Sequence, residues 1–419
     1  MRVSGSRATR WKLSLRGVVG PARPSLSGAP SRTLAEVLAA AGPDPDRLTH
    51  GMHAYPARMH PDVARAALRA FAPGSRRVLD PFCGSGTVLV EALVAGHVAA
   101  GVDLSPLAVR LSRLKTARPD AVRRARFLDA ADAVVRASLR RVRARAEARA
   151  PLAPSLARWF EGHVLRELAG LHAEIEAVAD PWCREALRFV LSAILLKVSR
   201  RRSETAVRTF ARTIRKGLPT ELFHARAVEW AGRWERLVEA APVEAPDPRV
   251  VEGDARRLGQ ALGPAAQFDL VLTSPPYGGT YDYVAHHELR HPWLGIDATA
   301  LRRDEIGARR RLGGPRAAAQ WDREMREVLV AIRSVLAPGA LAVLLVGDAC
   351  VGGARVDAAG QLVRLAPDAG LRVLGAARAS RRELRRGVER AEHLVAFEAA
   401  SPSNGGSKPR FGRERGPSR

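Results

Sequence analysis

The chain has 419 residues, 46% of them apolar, which is enough for a large buried core and too apolar for a disordered or fibrous protein. Its formal net charge is +25, and only five of its 68 basic residues are lysine. The arginine bias fits a GC-rich genome, but the excess of positive charge does not follow from it and favours a polyanionic partner, nucleic acid first. Cys83, Cys183 and Cys350 show neither CxxC pairing nor metal-ligand spacing. That argues against a disulfide framework, and a reducing, cytoplasmic setting with no bound metal is expected. No apolar run reaches the roughly eighteen residues of a membrane span.

Residues 1–32 carry Ser, Gly, Pro and Arg without periodicity and are expected to form a flexible basic arm. A short helix is predicted over 33–41, where Leu34, Val37 and Leu38 share a face before Gly42-Pro43. From 76 the pattern is α/β: a strand over 76–82, a glycine-rich turn, a helix near 86–96, and a strand over 97–104. Ser105 then caps a helix that begins at Pro106. Alternation stops at about 117, and only helices are predicted until the Pro-rich linker 241–248. It resumes with strands 249–253 and 268–274, a helix near 320–336, strand 340–348, a helix near 357–369, and strands near 371–376 and 392–398. The expected organisation is one parallel-rich sheet in two halves, 33–116 and 249–400. A helical insert, 117–248, divides the halves, and a basic tail, 401–419, comes after them. The last two strands are candidates for a hairpin at one edge.

Two motifs carry chemistry. The first is Asp80-Pro81-Phe82-Cys83-Gly84-Ser85-Gly86-Thr87, which follows a strand and opens a helix. Such a loop turns tightly and aims backbone amides at a ligand. Asp80 is placed to meet a ligand ammonium group, and Asp103, ending the next strand, to meet ribose hydroxyls. There is no GxxxxGK[ST], so the loop is not a triphosphate cradle. The second motif is Thr273-Ser274-Pro275-Pro276-Tyr277, directly after an apolar strand. Two prolines fix the backbone and remove competing amide donors. Ser274 Oγ and the Pro275 carbonyl can then accept both hydrogens of a planar amine while Tyr277 stacks on its ring. Alone, this motif reads better as a rigid loop before a helix.

Together the motifs resemble the DNA amino-methyltransferases, which modify cytosine N4 or adenine N6. DPFCGSG matches their S-adenosylmethionine motif and TSPPY their catalytic motif, with Ser274 in the form typical of the cytosine-N4 branch. The resemblance implies a Rossmann-like class I fold with S-adenosylmethionine as cofactor. It further implies a DNA substrate and, within restriction-modification, a possible cognate nuclease. The upstream segment His53–Pro61 looks like the family's stretch beside the cofactor methionine, which places Tyr55 and Pro56 at the cofactor. Asp254, in Gly253-Asp254-Ala255, sits where the family holds an acid near the adenine ring. Residues 281–295 resemble the stretch after the catalytic motif in some members, and the recognition module is not identifiable.

Attack at cytosine C5 needs a thiolate, usually presented after proline, and no cysteine here follows one. His287-Glu288-Leu289-Arg290-His291 spells HExxH, but Pro292 follows at once, and the histidines read better as structural or base-contacting than as zinc ligands. In the insert a helix is predicted from Ser203 to Gly217, with Arg208, Arg212, Arg215 and Lys216 on one face and Val207, Phe210 and Ile214 on the other. With Arg200, Arg201 and Arg202 before it, this face suits phosphate contact or is an ordinary solvated surface. The runs Arg309–Arg311 and Arg381–Arg390 are weaker candidates. Two further readings are an RNA methyltransferase of the tRNA guanine-N2 kind and a catalytically silent nucleic-acid-binding protein. Too few residues precede the upstream segment for the N-terminal RNA-binding domain of the first, and the intact acids and Tyr277 argue against the second.

Overall fold

The computed structural model describes residues 21–400 apart from 145, 147 and 383–388. The tail and most of the arm therefore lie outside the described residues, as does the middle of the Arg381–Arg390 run. What is described of the arm belongs to the fold. β1 (Arg23–Pro24) pairs with a strand from the far end of the chain, and α1 spans Ala29–Ala39, four residues ahead of the expected start. Pro30 in its first turn and the buried Ser31, which accepts a hydrogen bond from Ala376 N, explain the early start. Neither partner is visible locally, and Pro24 suits an edge position.

α2 (Pro61–Phe71) precedes β2 (Arg77–Asp80), α3 (Thr87–Val94), β3 (Val98–Asp103) and α4 (Pro106–Thr116). Ser105 Oγ accepts from Ala108 N at the start of α4, as its position predicts. The insert comprises α5 (Ala121–Ala144), α6 (Pro154–Ala157), α7 (Gly162–Glu176), α8 (Pro181–Ile194) and α9 (Leu218–Ala240). After it come β4 (Arg249–Glu252), α10 (Leu258–Leu262), β5 (Phe268–Thr273), α11 (Tyr283–His287), α12 (Thr299–Asp304) and α13 (Ala317–Val335). The chain continues through β6 (Leu336–Gly347), a small hairpin of β7 (Ala349–Val351) and β8 (Ala354–Val356), and α14 (Ala358–Leu365). It closes with β9 (Leu371–Arg382) and β10 (Glu389–Ala399).

Among the described residues the main sheet runs β1-β9-β10-β6-β5-β2-β3-β4. Strands β4, β3, β2, β5 and β6 are parallel neighbours, and β10 lies antiparallel between β6 and β9. The expected terminal hairpin is present, with β1 added outside it. From β2 the chain builds outward through β3 and β4, then crosses back to start β5 on the other side. That reversal leaves a crevice at the carboxyl ends of β2 and β5, where sheets of this kind hold ligands. One face of the sheet packs on α13 and α14, the other on α1, α2 and α3. The insert has its own core around Phe127, Phe189, Trp230 and Trp234, which continues into α4 and into Tyr55, Leu289 and Trp293. The insert is thus packed directly against segments of the crevice.

The helix expected over 203–217 does not form; the chain is irregular from 200 to 217. Its intended apolar face has nothing to bury, since Val207 is 84% exposed and only Ile214 is buried. Five β-branched residues, Thr205, Val207, Thr209, Thr213 and Ile214, add a low helix propensity. Tertiary contacts take over instead: His163 Nε2 meets Ile214 O, and Arg290 binds Glu204 through two bonds of 2.6 Å.

Candidate functional site

The crevice opens into a cavity of about 810 Å³, its mouth included. Walls come from five places in the sequence: Tyr55–Met59, the Asp80–Val88 loop, Asp103–Ser105, Ala255, and the stretch after β5. Register explains the meeting, because Asp80 pairs with Gly101 in β3 while Leu79 pairs with Val271 in β5. Asp80 and Thr273 therefore end adjacent strands, and the Thr273 hydroxyl donates to Asp80 Oδ1 at 2.6 Å.

In the loop, Gly84 and Gly86 have φ of +50° and +82°, which side chains other than glycine rarely adopt. A Cβ at Gly84 would lie 3.1 Å from the Tyr55 ring, and one at Gly86 would lie 3.0 Å from Ser112 Oγ. The Tyr55 ring is thus pressed on the loop, where only a bare backbone leaves room for it. Gly84 N donates to Asp103 Oδ2 at 2.8 Å and Ser105 N to Oδ1 at 2.9 Å, so Asp103 is fixed with lone pairs to spare. Burial pushes the Asp80 carboxyl up to about 7 and that of Asp103 to about 6, against the hydrogen bonds each accepts. Burial likewise holds the Cys83 thiol well above its ordinary value, which suits an inert loop filler and not a nucleophile.

The buried hydroxyls of Ser85 and Thr87 have no hydrogen-bond partner, and both residues line the cavity. Two orphaned hydroxyls, two desolvated acids and an apolar remainder fit a polar, cationic nucleoside such as S-adenosylmethionine. Pro56, Pro81, Phe82 and Cys83 line the same cavity. Asp254 is placed differently: its carboxylate is held by Arg256 Nε and Nη2, and its neighbour Ala255 forms the wall.

Of the second motif, Ser274 and Pro276 face the cavity, whereas Pro275 and Tyr277 line a smaller pocket behind it with Trp321 and Met325. The Tyr277 ring covers Gly347, and its hydroxyl donates to Glu392 at 3.3 Å. In this arrangement the ring is not presented to the main cavity, where the tyrosines are Tyr55 and Tyr283. The rings of Tyr277, Tyr281, Tyr283 and Tyr55 form a ladder with centroids 6.0–6.4 Å apart, and these are all four tyrosines of the chain.

Sequence reasoning missed the segment that covers the cavity, Leu301, Glu305 and Ile306, because it carries no motif. The HExxH histidines are buried core groups. His287 lies 5.1 Å from the Tyr55 ring, burial lowers both histidines' pKa values, and among the described residues neither belongs to a metal-holding cluster. The basic residues divide. Arg201 is 5% exposed, stacks over Trp159 and pairs with Glu288, and Arg200 donates to Arg158 O. Arg202, Arg208 and Lys216 are exposed and Arg212 is half-buried.

Parts of the chain are similar to known proteins. The family UPF0020 (RMKL-like, methyltransferase domain) matches residues 51–153. The Type II methyltransferase M.MvaI of Kocuria varians is 42% identical over 72 residues, 16% of this chain and 16% of that protein. The Type II methyltransferase M.MjaII of Methanocaldococcus jannaschii is 31% identical over 71 residues, 17% and 13% respectively. The chain spans about a sixth or less of the length of these curated relatives. TrmN from Thermus thermophilus shares 14% identity at a TM-score of 0.34, covering 81% of this chain and 49% of its own. The rRNA methyltransferase aviRa from Streptomyces viridochromogenes shares 13% at 0.31, covering 82% and 88%. The order of β4-β3-β2-β5-β6-β10-β9, with β10 antiparallel between β6 and β9, is that of the class I S-adenosylmethionine-dependent methyltransferases. S-adenosylmethionine is the cofactor of this fold.

Proposed function

We propose that the protein is an S-adenosylmethionine-dependent DNA methyltransferase acting on an exocyclic base amine, cytosine N4. The observation that carries this reading is that the Asp80–Thr87 loop, Asp103, Ser274 and Pro276 face one cavity. Bound there, S-adenosylmethionine supplies an electrophilic methyl group. Asp80 would hold its ammonium group, Asp103 its ribose, and the Ser85 and Thr87 hydroxyls its remaining polar atoms. Ser274 Oγ holds the acceptor amine through one of its hydrogens and leaves the nitrogen lone pair free to attack. Pro275 and Pro276 bring no amide donor to compete. A neutral, buried Cys83 supports amine over carbon methylation.

Ser274 in first position supports cytosine as the base, and the local matches to two Type II methyltransferases support DNA. A duplex base must leave the stack to reach such a cavity. The exposed cations Arg202, Arg208 and Lys216, with half-buried Arg212, supply phosphate contacts on a loop tied to the substrate side of the site. Ser274→Ala is expected to lower methyl transfer on the order of a hundredfold, the scale of one positioned polar group at a reacting centre, with cofactor affinity unchanged in calorimetry. Mapping modified bases in cells expressing the protein, with this variant as control, tests the substrate. N4-methylcytosine in a fixed context supports the reading, and modification confined to RNA overturns it.

A further inference from the structure

Glu305 lies some two hundred residues beyond Asp103 and belongs to no motif, yet it is 4% exposed and lines the same cavity. Its position is over-determined. Oε1 accepts from Tyr283 N at 2.6 Å, Oε2 accepts from Arg310 Nη1 at 2.5 Å, and the same Arg310 nitrogen bonds Asp282 at 2.7 Å. Each oxygen has one partner and therefore one further lone pair to offer. Leu301 and Ile306 flank it as apolar wall, and Asp103 lines the same cavity. Asp254, the acid that the motif pattern points to, has its carboxylate occupied by Arg256 instead.

We propose that Glu305 is a second acid for the nucleoside half of the cofactor, sharing the ribose hydroxyls with Asp103 from the covering segment. This rests on the cofactor assignment of the cavity. A diol offers two hydroxyl donors, and two carboxylates that line one cavity with lone pairs to spare match them. A hydroxyl ligand also explains the Arg310 tether, which fixes the carboxylate without consuming all of its lone pairs.

Calorimetry with the full chain tests it. Glu305→Gln keeps an acceptor for Tyr283 N and is expected to weaken S-adenosylmethionine binding about tenfold, the scale of one hydrogen bond to a charged group. The second measurement compares adenosine with 2′,3′-dideoxyadenosine. Wild type should prefer adenosine, and the variant should lose most of that preference while binding the dideoxy probe as wild type does. Equal weakening for both probes means a structural role and overturns the proposal, as does wild-type affinity in the variant. Should Glu305→Gln unfold, Glu305→Asp, one methylene shorter, serves for the same comparison. No binding of S-adenosylmethionine by wild type would sink both this inference and the cofactor assignment. Binding by wild type with an indifferent Glu305 sinks this inference alone.

Discussion

Asp80 ends β2 with its carboxyl buried, its pKa raised to about 7 by desolvation and further by Asp103, while Thr273 and Phe82 N pull the other way. A carboxyl whose folded pKa is raised favours folding fully below its unfolded value of 3.8, and that contribution is lost as pH rises through about 7. Binding a cofactor cation needs the ionised form, so affinity has the opposite slope. Between pH 8 and pH 6, affinity for S-adenosylmethionine is expected to fall, by up to about tenfold per pH unit once below the pKa. Over the same range, wild type should gain thermal stability relative to Asp80→Asn, a difference that cancels the contribution of the neutral buried histidines. Calorimetry and thermal unfolding in matched buffers check the two slopes, and parallel slopes would remove Asp80 from the cofactor site. Tyr277 belongs to the same scale. Its ring rests on Gly347, and Tyr277→Phe removes the bond to Glu392, for about 1 kcal/mol of stability at most.

The irregular 200–217 loop and the segment after the Ser274–Tyr277 motif are joined by two crossed ion pairs, Arg201–Glu288 and Arg290–Glu204. Arg290 is 1% exposed, so its charge has no recourse to water. Removing one partner of such a pair leaves a buried charge, whereas removing both can be nearly neutral. Glu204→Gln is therefore expected to destabilise by about 3–5 kcal/mol, and Glu204→Gln with Arg290→Met by much less, as read from denaturant unfolding. Additive costs would show that the two elements are not held together here. Since α11 and the residues after it carry Tyr283 on the cavity wall, the same strap sets where the basic loop lies relative to the site.

At the scale of the whole molecule, the proposed function and a net charge of +25 together predict nucleic-acid binding that is strongly salt-dependent through counterion release. Arg208, Arg212 and Lys216 have no ion-pair partner among the described residues, and Arg201 and Arg290 are spent on the strap. Changing those three to alanine is expected to reduce the slope of log K against log salt by about 2.7 for duplex DNA, close to 0.9 for each phosphate no longer neutralised. An unchanged slope, measured by fluorescence anisotropy, would place the phosphate interface elsewhere. No helix of the described residues is long and apolar enough to cross a membrane.

The sequence by itself determined the parts whose physics is local. Asp80–Thr87 has to turn on glycine, Ser105 has to cap α4, and the alternating apolar runs have to become strands of a Rossmann-like sheet. For that reason the turn at Asp80–Thr87 and the cofactor class were legible in the order of residues alone, and the structure brings Asp80, Asp103 and Ser274 to one cavity. Only the tertiary structure decided the rest. The 203–217 stretch has a helical charge pattern, but of its apolar face only Ile214 is buried, and distant ion pairs fixed it as a loop. β1 exists only because β9, more than three hundred residues away, supplies its hydrogen bonds. Tyr277 is turned onto Gly347 and Glu305 into the cavity by packing between segments that no spacing rule connects, whereas Asp254 is claimed locally by Arg256, two residues on. Local chemistry is written in neighbouring residues; which acid reaches a ligand depends on which other groups have already claimed its lone pairs.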